Sequence, residues 1–225
     1  MSLELQLLLL AWGALVGLDL VGVPQMMIAR PIVAGPVAGL IVGDVPAGLQ
    51  LGVLFELFQY DILPFGATRY PEYGPATVAA VGAAHAAAGT LGIGIGTFVG
   101  LVTAMVGGMS MHLLRRMNAR AVHAAQGPLE AGDVGALVHL HVMGILRDAA
   151  RAGLVTASGL VLAQLARVFI AGHLTLRGVT VLGVAAAAAA IAAAAAGTLR
   201  VVGRGANLPW LAAGVLGGTV LAWLW

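Results

Sequence analysis

The chain has 225 residues, of which 60% are hydrophobic and only 9% charged, with a mean hydropathy of +1.01. A soluble domain carries roughly a quarter charged residues, so this composition excludes an ordinary soluble domain and predicts an integral membrane protein. All 11 basic residues are arginine and there is no cysteine, which excludes disulfides, thiolate metal sites and cysteine nucleophiles; the high isoelectric point comes from scattered arginines rather than a nucleic-acid-binding surface.

Leu3–Val23 is the first apolar segment, interrupted by Asp19 and ended by Pro24. It lacks a basic leading region, so a cleaved signal peptide is not expected. Trp12, mid-segment, is expected to pack within the protein rather than sit at a membrane interface. Residues 30–60 are apolar yet hold Asp44 and Glu56, with Pro31, Pro36 and Pro46 breaking the run. Such a pattern predicts two short helices meeting near Asp44–Pro46, because broken helices at membrane depth persist where they pack within protein or line a cavity. Gly48, Gly52 and Glu56 recur every four residues and share a helix face, with Gly35 and Gly39 upstream as further packing positions. An ionisable residue at membrane depth costs a few kcal/mol and marks a functional site by default. Asp44, in GDVPAG, reads equally as a turn cap.

Gln59–Pro75 is polar and holds all three tyrosines, with Tyr60, Asp61, Arg69 and Glu72 as candidate substrate-binding residues beside Glu56 and Asp44. A solvated loop network among Asp61, Arg69 and Glu72 is the competing reading. Arg69 is the most obvious partner for the Glu56 carboxylate. Residues 76–114 exceed one span but fall short of two, which predicts a re-entrant hairpin followed by a crossing helix. Gly92, Gly94 and Gly96 lack the spacing and preceding strand of a dinucleotide fingerprint and read as helix packing.

Arg115, Arg116 and Arg120 open a hydrophilic connection that runs to Asp133 and is expected to be a cytoplasmic loop, 115–133, by the positive-inside rule. A span is expected from Arg151 to Ile170, another over Val179–Leu199, and a short final one over Trp210–Trp225. With a short turn between the first two, the arginines at 200 and 204 fall on the same side as the 115–133 connection. A weak echo links the stretch near residue 40 to that near residue 92, of the kind transporter repeats produce, although alanine and glycine bias produces the same echo. In total, the expected fold is an all-α polytopic bundle of about six to eight membrane segments, including re-entrant helical hairpins, in one domain spanning 1–225. The histidines show no metal-ligand spacing, so neither a metal nor another cofactor is expected.

Arg30-Pro31 followed by Gly35, Gly39, Gly43-Asp44, Gly48, Gly52 and Glu56 resembles the IIC membrane component of the mannose/fructose/sorbose-type phosphotransferase system (PTS). That family's RPL…G…LGD…G…G…LE pattern has the same spacing from arginine to glutamate. The resemblance continues at Gly66, at Pro71-Glu72 where the family has Pro-Asp, and at His141 and Arg151, spaced as in its IHV…R segment. It departs from the enteric mannose members at Gln59–Phe65, where they carry a small Gly-Trp-Met-Asn-type stretch, and in a C-terminus shorter by roughly a helix. These departures imply a different sugar or use.

The resemblance implies a sugar permease subunit in the cell inner (cytoplasmic) membrane, multi-pass, within an oligomeric complex. Its partners would be a IID membrane subunit and cytoplasmic IIA and IIB proteins carrying phosphate on histidines. The phosphoryl-transfer residues would then lie on those other subunits, and His141, Arg151 and Arg30 become candidate functional residues here. Two other readings stand beside it: a small-solute secondary transporter or channel with Glu56 or Asp44 coupled to a proton, and a non-transporting regulatory membrane subunit.

Overall fold

The computed structural model describes residues 1–60, 70–85, 89–170 and 176–202, with Ala213. Among these there is no strand. The helices are α1 (Leu3–Asp19), α2 (Pro31–Val42), α3 (Val45–Gln59), α4 (Tyr73–His85), α5 (Gly89–Ala124), α6 (Gln126–Glu130), α7 (Val134–Ile170) and α8 (Leu176–Val202). Two of them, over Gly92–Ala124 and Val134–Val168, are long and apolar enough to cross a membrane by length and composition.

α2 and α3 form the expected broken hairpin. Gly43 ends α2 in the left-handed conformation, at φ 77°, which a glycine adopts without the penalty a Cβ would bring. Asp44 then caps α3, its carboxylate accepting the Ala47 N–H at 3.1 Å, and Pro46 occupies the first turn, where no amide donor is needed. The two helices are 12 and 15 residues long, about 18 and 22 Å. They touch backbone to backbone: a Cβ on Gly35 would lie 2.4 Å from the Gly48 carbonyl oxygen, and one on Gly48 would lie 2.5 Å from that of Gly35. Gly39 and Gly52 complete the seam, meeting the backbone of Asp44–Gly48 and of Pro31.

The centre of the molecule is α4, every residue of which from Tyr73 to Ala84 is buried. It packs against α1, α2, α3, α5 and α7. Its side chains are mostly alanine, glycine and valine, which lets five helices close on one short one. Across the α4–α5 contact, Gly92 and Gly96 abut the Ala84 and Ala80 carbonyls, and Gly100 receives the Phe55 ring of α3. The packing role expected for the glycines of this region is present at positions spaced by four. Phe55, Phe58 and Tyr73 form one aromatic cluster with ring centroids 5.9–6.3 Å apart. The turn between α1 and α2 is held from within: Asp19, buried, accepts the Met26 N–H and, at 3.0 Å, the Ala29 N–H. Trp12 packs inside, donating its indole N–H to Ala34 O at 3.0 Å.

Three expected boundaries move. Residues 115–133 are not a loop: α5 continues through all three arginines to Ala124, α6 follows, and only a few residues around them turn. Polarity marks where a helix leaves an apolar medium, whereas Leu, Arg, Met and Ala are all good helix formers and keep it going. The turn comes at Gly132, φ 77°, after which Asp133 caps α7 by accepting from Gly135 and Ala136. The span expected to begin at Arg151 is the second half of a 37-residue helix that starts at Val134. The 76–114 stretch, expected as a re-entrant hairpin followed by a crossing helix, instead holds one short buried helix, α4, and one long helix, α5, which runs beyond the expected end. Trp210–Trp225 lies outside the described residues apart from Ala213.

The glycine seam generates a direct test. Gly35→Leu or Gly48→Leu places a side chain where backbone already stands and is expected to lower the yield of folded, monodisperse protein in detergent, at a cost of about 1–3 kcal/mol. Gly183→Ala in α8, where a Cβ meets nothing within 4 Å, is expected to leave that yield unchanged or raise it slightly.

Candidate functional site

Two groups of charged side chains stand out, one at the open end of the α2–α3 hairpin and one at its centre of packing. At the first, Glu56 on the last turn of α3 reaches the start of α2. Its carboxylate pairs with the Arg30 guanidinium and accepts the Ile32 N–H at 3.2 Å. Arg30 is the residue at the head of α2 and offers no side-chain cap of its own, so the carboxylate supplied by α3 serves instead. A negative charge is favoured at a helix N-terminus, where amide donors are unsatisfied. With side chains 43% and 18% exposed, this pair is the accessible one. Arg69, the partner expected for Glu56, lies outside the described residues, as does Asp61; the partner found is Arg30.

The second group is buried. Arg151 of α7 holds Glu72 through two donors, at 2.5 and 2.8 Å, and holds Asp148 one turn back through Nε at 2.9 Å. Ser110 of α5 accepts a further bond from Arg151 at 3.2 Å and donates to Gly107 O at 2.7 Å. Glu72 is 1% exposed, so it belongs to no solvated loop network. Its chain segment lies flat on α5: the Glu72 N–H donates to Ala104 O at 2.9 Å, and Gly107 and Gly108 leave room for Glu72 and Tyr70. Two carboxylates on one guanidinium leave the cluster with a formal charge of −1.

The remaining candidates do not converge on one point. Asp44 sits twelve residues before Glu56 on the same helix, about 18 Å away, and acts as the cap of α3. Tyr60, at the end of α3, is 65% exposed. Glu72 instead joins Gln59, Tyr70 and Tyr73 around a cavity of about 30 Å³, room for about one water molecule. His141 lies elsewhere: it lines a cleft of about 380 Å³ with Arg115, Asn118 and Arg147.

In the sequence Asp19 reads only as an interruption of the first segment, and nothing there gives Asp148, Ser110 or the Gly107-Gly108 pair a role at the site. The Asp148–Arg151 spacing of three was the readable signal, since residues so spaced meet on one helix face. Nothing local announced that Glu72 would be the third member, 79 residues away.

Removing Arg151 leaves two buried carboxylates facing each other. Arg151→Met is therefore expected to destabilise the protein by about 3–5 kcal/mol, read as thermal unfolding in a lipid nanodisc. Glu72→Gln leaves Arg151 still paired with Asp148 and is expected to cost markedly less.

With this geometry in place, comparison with known proteins is informative. A model of the family described as the PTS system sorbose-specific IIC component matches residues 5–221. The sorbose-specific EIIC component of Lacticaseibacillus casei is 27% identical over 150 residues, 67% of this chain and 53% of that protein. The mannose-specific EIIC component of Escherichia coli K12 is 25% identical over 54% of this chain and 45% of that protein. The chain spans about half the length of these relatives. A solved structure described only as a membrane protein superposes with a TM-score of 0.72 at 18% identity, covering 100% of this chain and 95% of that one. A cryo-EM structure of the mannose transporter ManYZ with microcin E492 superposes at 0.51 and 17% identity, with the same coverage. These likenesses establish an all-helical membrane protein fold, and the family match assigns the chain: it belongs to the family of PTS sorbose-specific IIC components.

Proposed function

We propose that this chain is the sugar-translocating membrane subunit of a phosphoenolpyruvate-dependent PTS, binding a hexose near mid-membrane and passing it to a phosphorylated cytoplasmic IIB protein. The observation that carries the reading, within a family whose relatives are named for sorbose and mannose, is the broken hairpin. Helices of about 18 and 22 Å are too short for a hydrocarbon core of about 30 Å, so α2–α3 is a re-entrant element that ends inside the membrane. Its open end carries the Arg30–Glu56 pair, a charged group within reach of a ligand. A carboxylate binds sugar hydroxyls well because charge-assisted hydrogen bonds exceed neutral ones. Arg30 would hold Glu56 in place when no sugar is bound.

In this reading a IID subunit completes the translocation unit, IIA and IIB supply the phosphate, and the whole sits in the cytoplasmic membrane with about six to eight segments per IIC chain. The arginine-bearing end of α5 faces the cytoplasm. Phosphorylation on the partner traps the sugar, so no proton gradient is required.

Reconstitution with the IID, IIA and IIB proteins in proteoliposomes is expected to give sugar phosphorylation that depends on phosphoenolpyruvate. Uptake driven by a pH gradient with no phosphodonor would instead establish the secondary-transporter reading. Within the same system, Glu56→Gln is expected to fold and insert while binding sugar about tenfold more weakly, the scale of a lost charged hydrogen bond. Unchanged binding would make the acid purely structural. Because the chain has no native cysteine, Ala119→Cys gives a single label site, expected to react with impermeant thiol reagents only from the cytoplasmic side.

A further inference from the structure

We propose that the apolar ridge on the first half of α7 is the docking surface for the soluble, phosphate-carrying IIB protein. This inference rests on the reading of the chain as the sugar-translocating subunit of a PTS. Val134, Leu137, Val138, Val142 and Leu146 are 69%, 58%, 55%, 46% and 55% exposed. Spacings of three and four put them along one side of the helix, and no Asp, Glu or Arg interrupts the sequence from Val134 to Leu146. His139 and His141, both exposed, flank the ridge and give it a polar rim.

Elsewhere on α7 exposed apolar side chains meet lipid, but these lie beyond it. Arg147 and Arg167 stand about 30 Å apart along the helix, the thickness of a hydrocarbon core. The exposed Leu154, Val161 and Leu165 fall within that interval. The ridge falls outside it and runs on for a further ~18 Å. On α5 the stretch without acids or arginine, Gly89 to Leu114, is itself about 39 Å long, so Arg116 and Arg120 stand outside the core as well. Arg147 donates to Asn118 Oδ1 at 3.3 Å, which joins the two helices at this level. The ridge therefore belongs to a helical hairpin that projects into water, where an exposed apolar patch marks a protein-interaction site.

Two observations favour IIB as the occupant. The hairpin springs from the end of the molecule that holds the Arg30–Glu56 pair. Tyr70 accepts a bond from Arg115 at 3.2 Å and lines one small cavity with Gln59 and Glu72, and Gln59 lies one turn beyond Glu56 on α3. A phosphodonor has to reach that end. The ridge is also small. One helix face about 18 Å long and about 10 Å wide offers less than the roughly 800 Å² per partner of a stable interface, which suits a carrier that binds and leaves in every turnover.

Binding of phosphorylated IIB to the full chain, held with IID in lipid nanodiscs, tests the assignment. Val138→Asp and Val142→Asp are each expected to weaken binding about tenfold, the scale on which a central interface residue acts. Val138→Leu, which keeps the ridge apolar, should bind as wild type does. Ala124→Asp, exposed on α5 of the same hairpin, adds the same charge off the ridge and should change little. In the reconstituted system the two ridge variants should need more IIB for half-maximal sugar phosphorylation yet reach the wild-type maximum, which separates lost docking from lost folding. Ridge variants that bind IIB as wild type does, while wild type phosphorylates sugar, overturn the docking surface and leave the proposed function standing. No phosphorylation by wild type removes both. Because the chain has no native cysteine, Val138→Cys reports the other occupants. Its efficient disulfide pairing would assign the ridge to a second copy, and its failure to react with impermeant thiol reagents from either side would place the ridge in lipid. Loss of IID from the Val138→Asp complex would assign it to that subunit. Each of these three results overturns the proposal.

Discussion

The bond on which the rest of the structure depends is the buried fork between Arg151 and Glu72. It joins α7 to the short extended segment before α4, and Ser110 ties the same guanidinium to α5. Burying ions is costly, and a buried pair compared with well-packed apolar residues often contributes no net stability. What the pair does is select one arrangement: any packing in which Glu72 is displaced strands a charge away from water. The start of α4 is thereby fixed, and α4 is the element against which α1, α2, α3, α5 and α7 all rest. Asp148 adds a second carboxylate to the fork, so the guanidinium is saturated and the cluster cannot exchange partners without breaking at least one charged bond.

Around that tie the helices are held by shape. Lipid tails are as apolar as leucine, so two helices in a bilayer gain little from hiding hydrophobic surface from each other and rely on close contact instead. That accounts for backbone-to-backbone seams at Gly35–Gly48 and at Gly92 and Gly96 against α4. The α2–α3 hairpin depends on such a seam most heavily, since neither helix is long. Closed by Asp44 at one end and by Arg30–Glu56 at the other, it is a compact rigid unit that presents its charged end beside the end of α3. Under the proposed function such rigidity suits sugar recognition, because a carboxylate positioned before a ligand arrives gives up little entropy on binding.

Much of this was legible in the sequence, for reasons that differ by residue. The turn at Gly43-Asp44 was readable because left-handed glycine, capping aspartate and first-turn proline are local devices with local residue signatures. The glycine face was readable because helical periodicity is local too. Arg30 and Glu56 were both singled out, but their pairing was not, since it depends on two helices lying antiparallel. Glu72 stands in a polar stretch of sequence that reads equally as a substrate-binding group or a solvated loop network; its neighbours in space are Gly107 and Arg151. The end of α5 was misplaced for a related reason. Hydropathy reports the medium a residue prefers, and a helix of arginine, leucine and alanine continues through a change of medium without a break.

The claim that the Arg151–Glu72 fork organises the core is tested most directly by a double-mutant cycle, with Arg151→Met, Glu72→Gln and the double variant unfolded thermally in the same nanodiscs. The account predicts strong coupling, with an interaction term of about 2 kcal/mol or more, and a double variant less damaged than the sum of the single ones. Effects that add to within about 0.5 kcal/mol would contradict it, showing that the two residues act on stability independently and that α4 is positioned by packing alone.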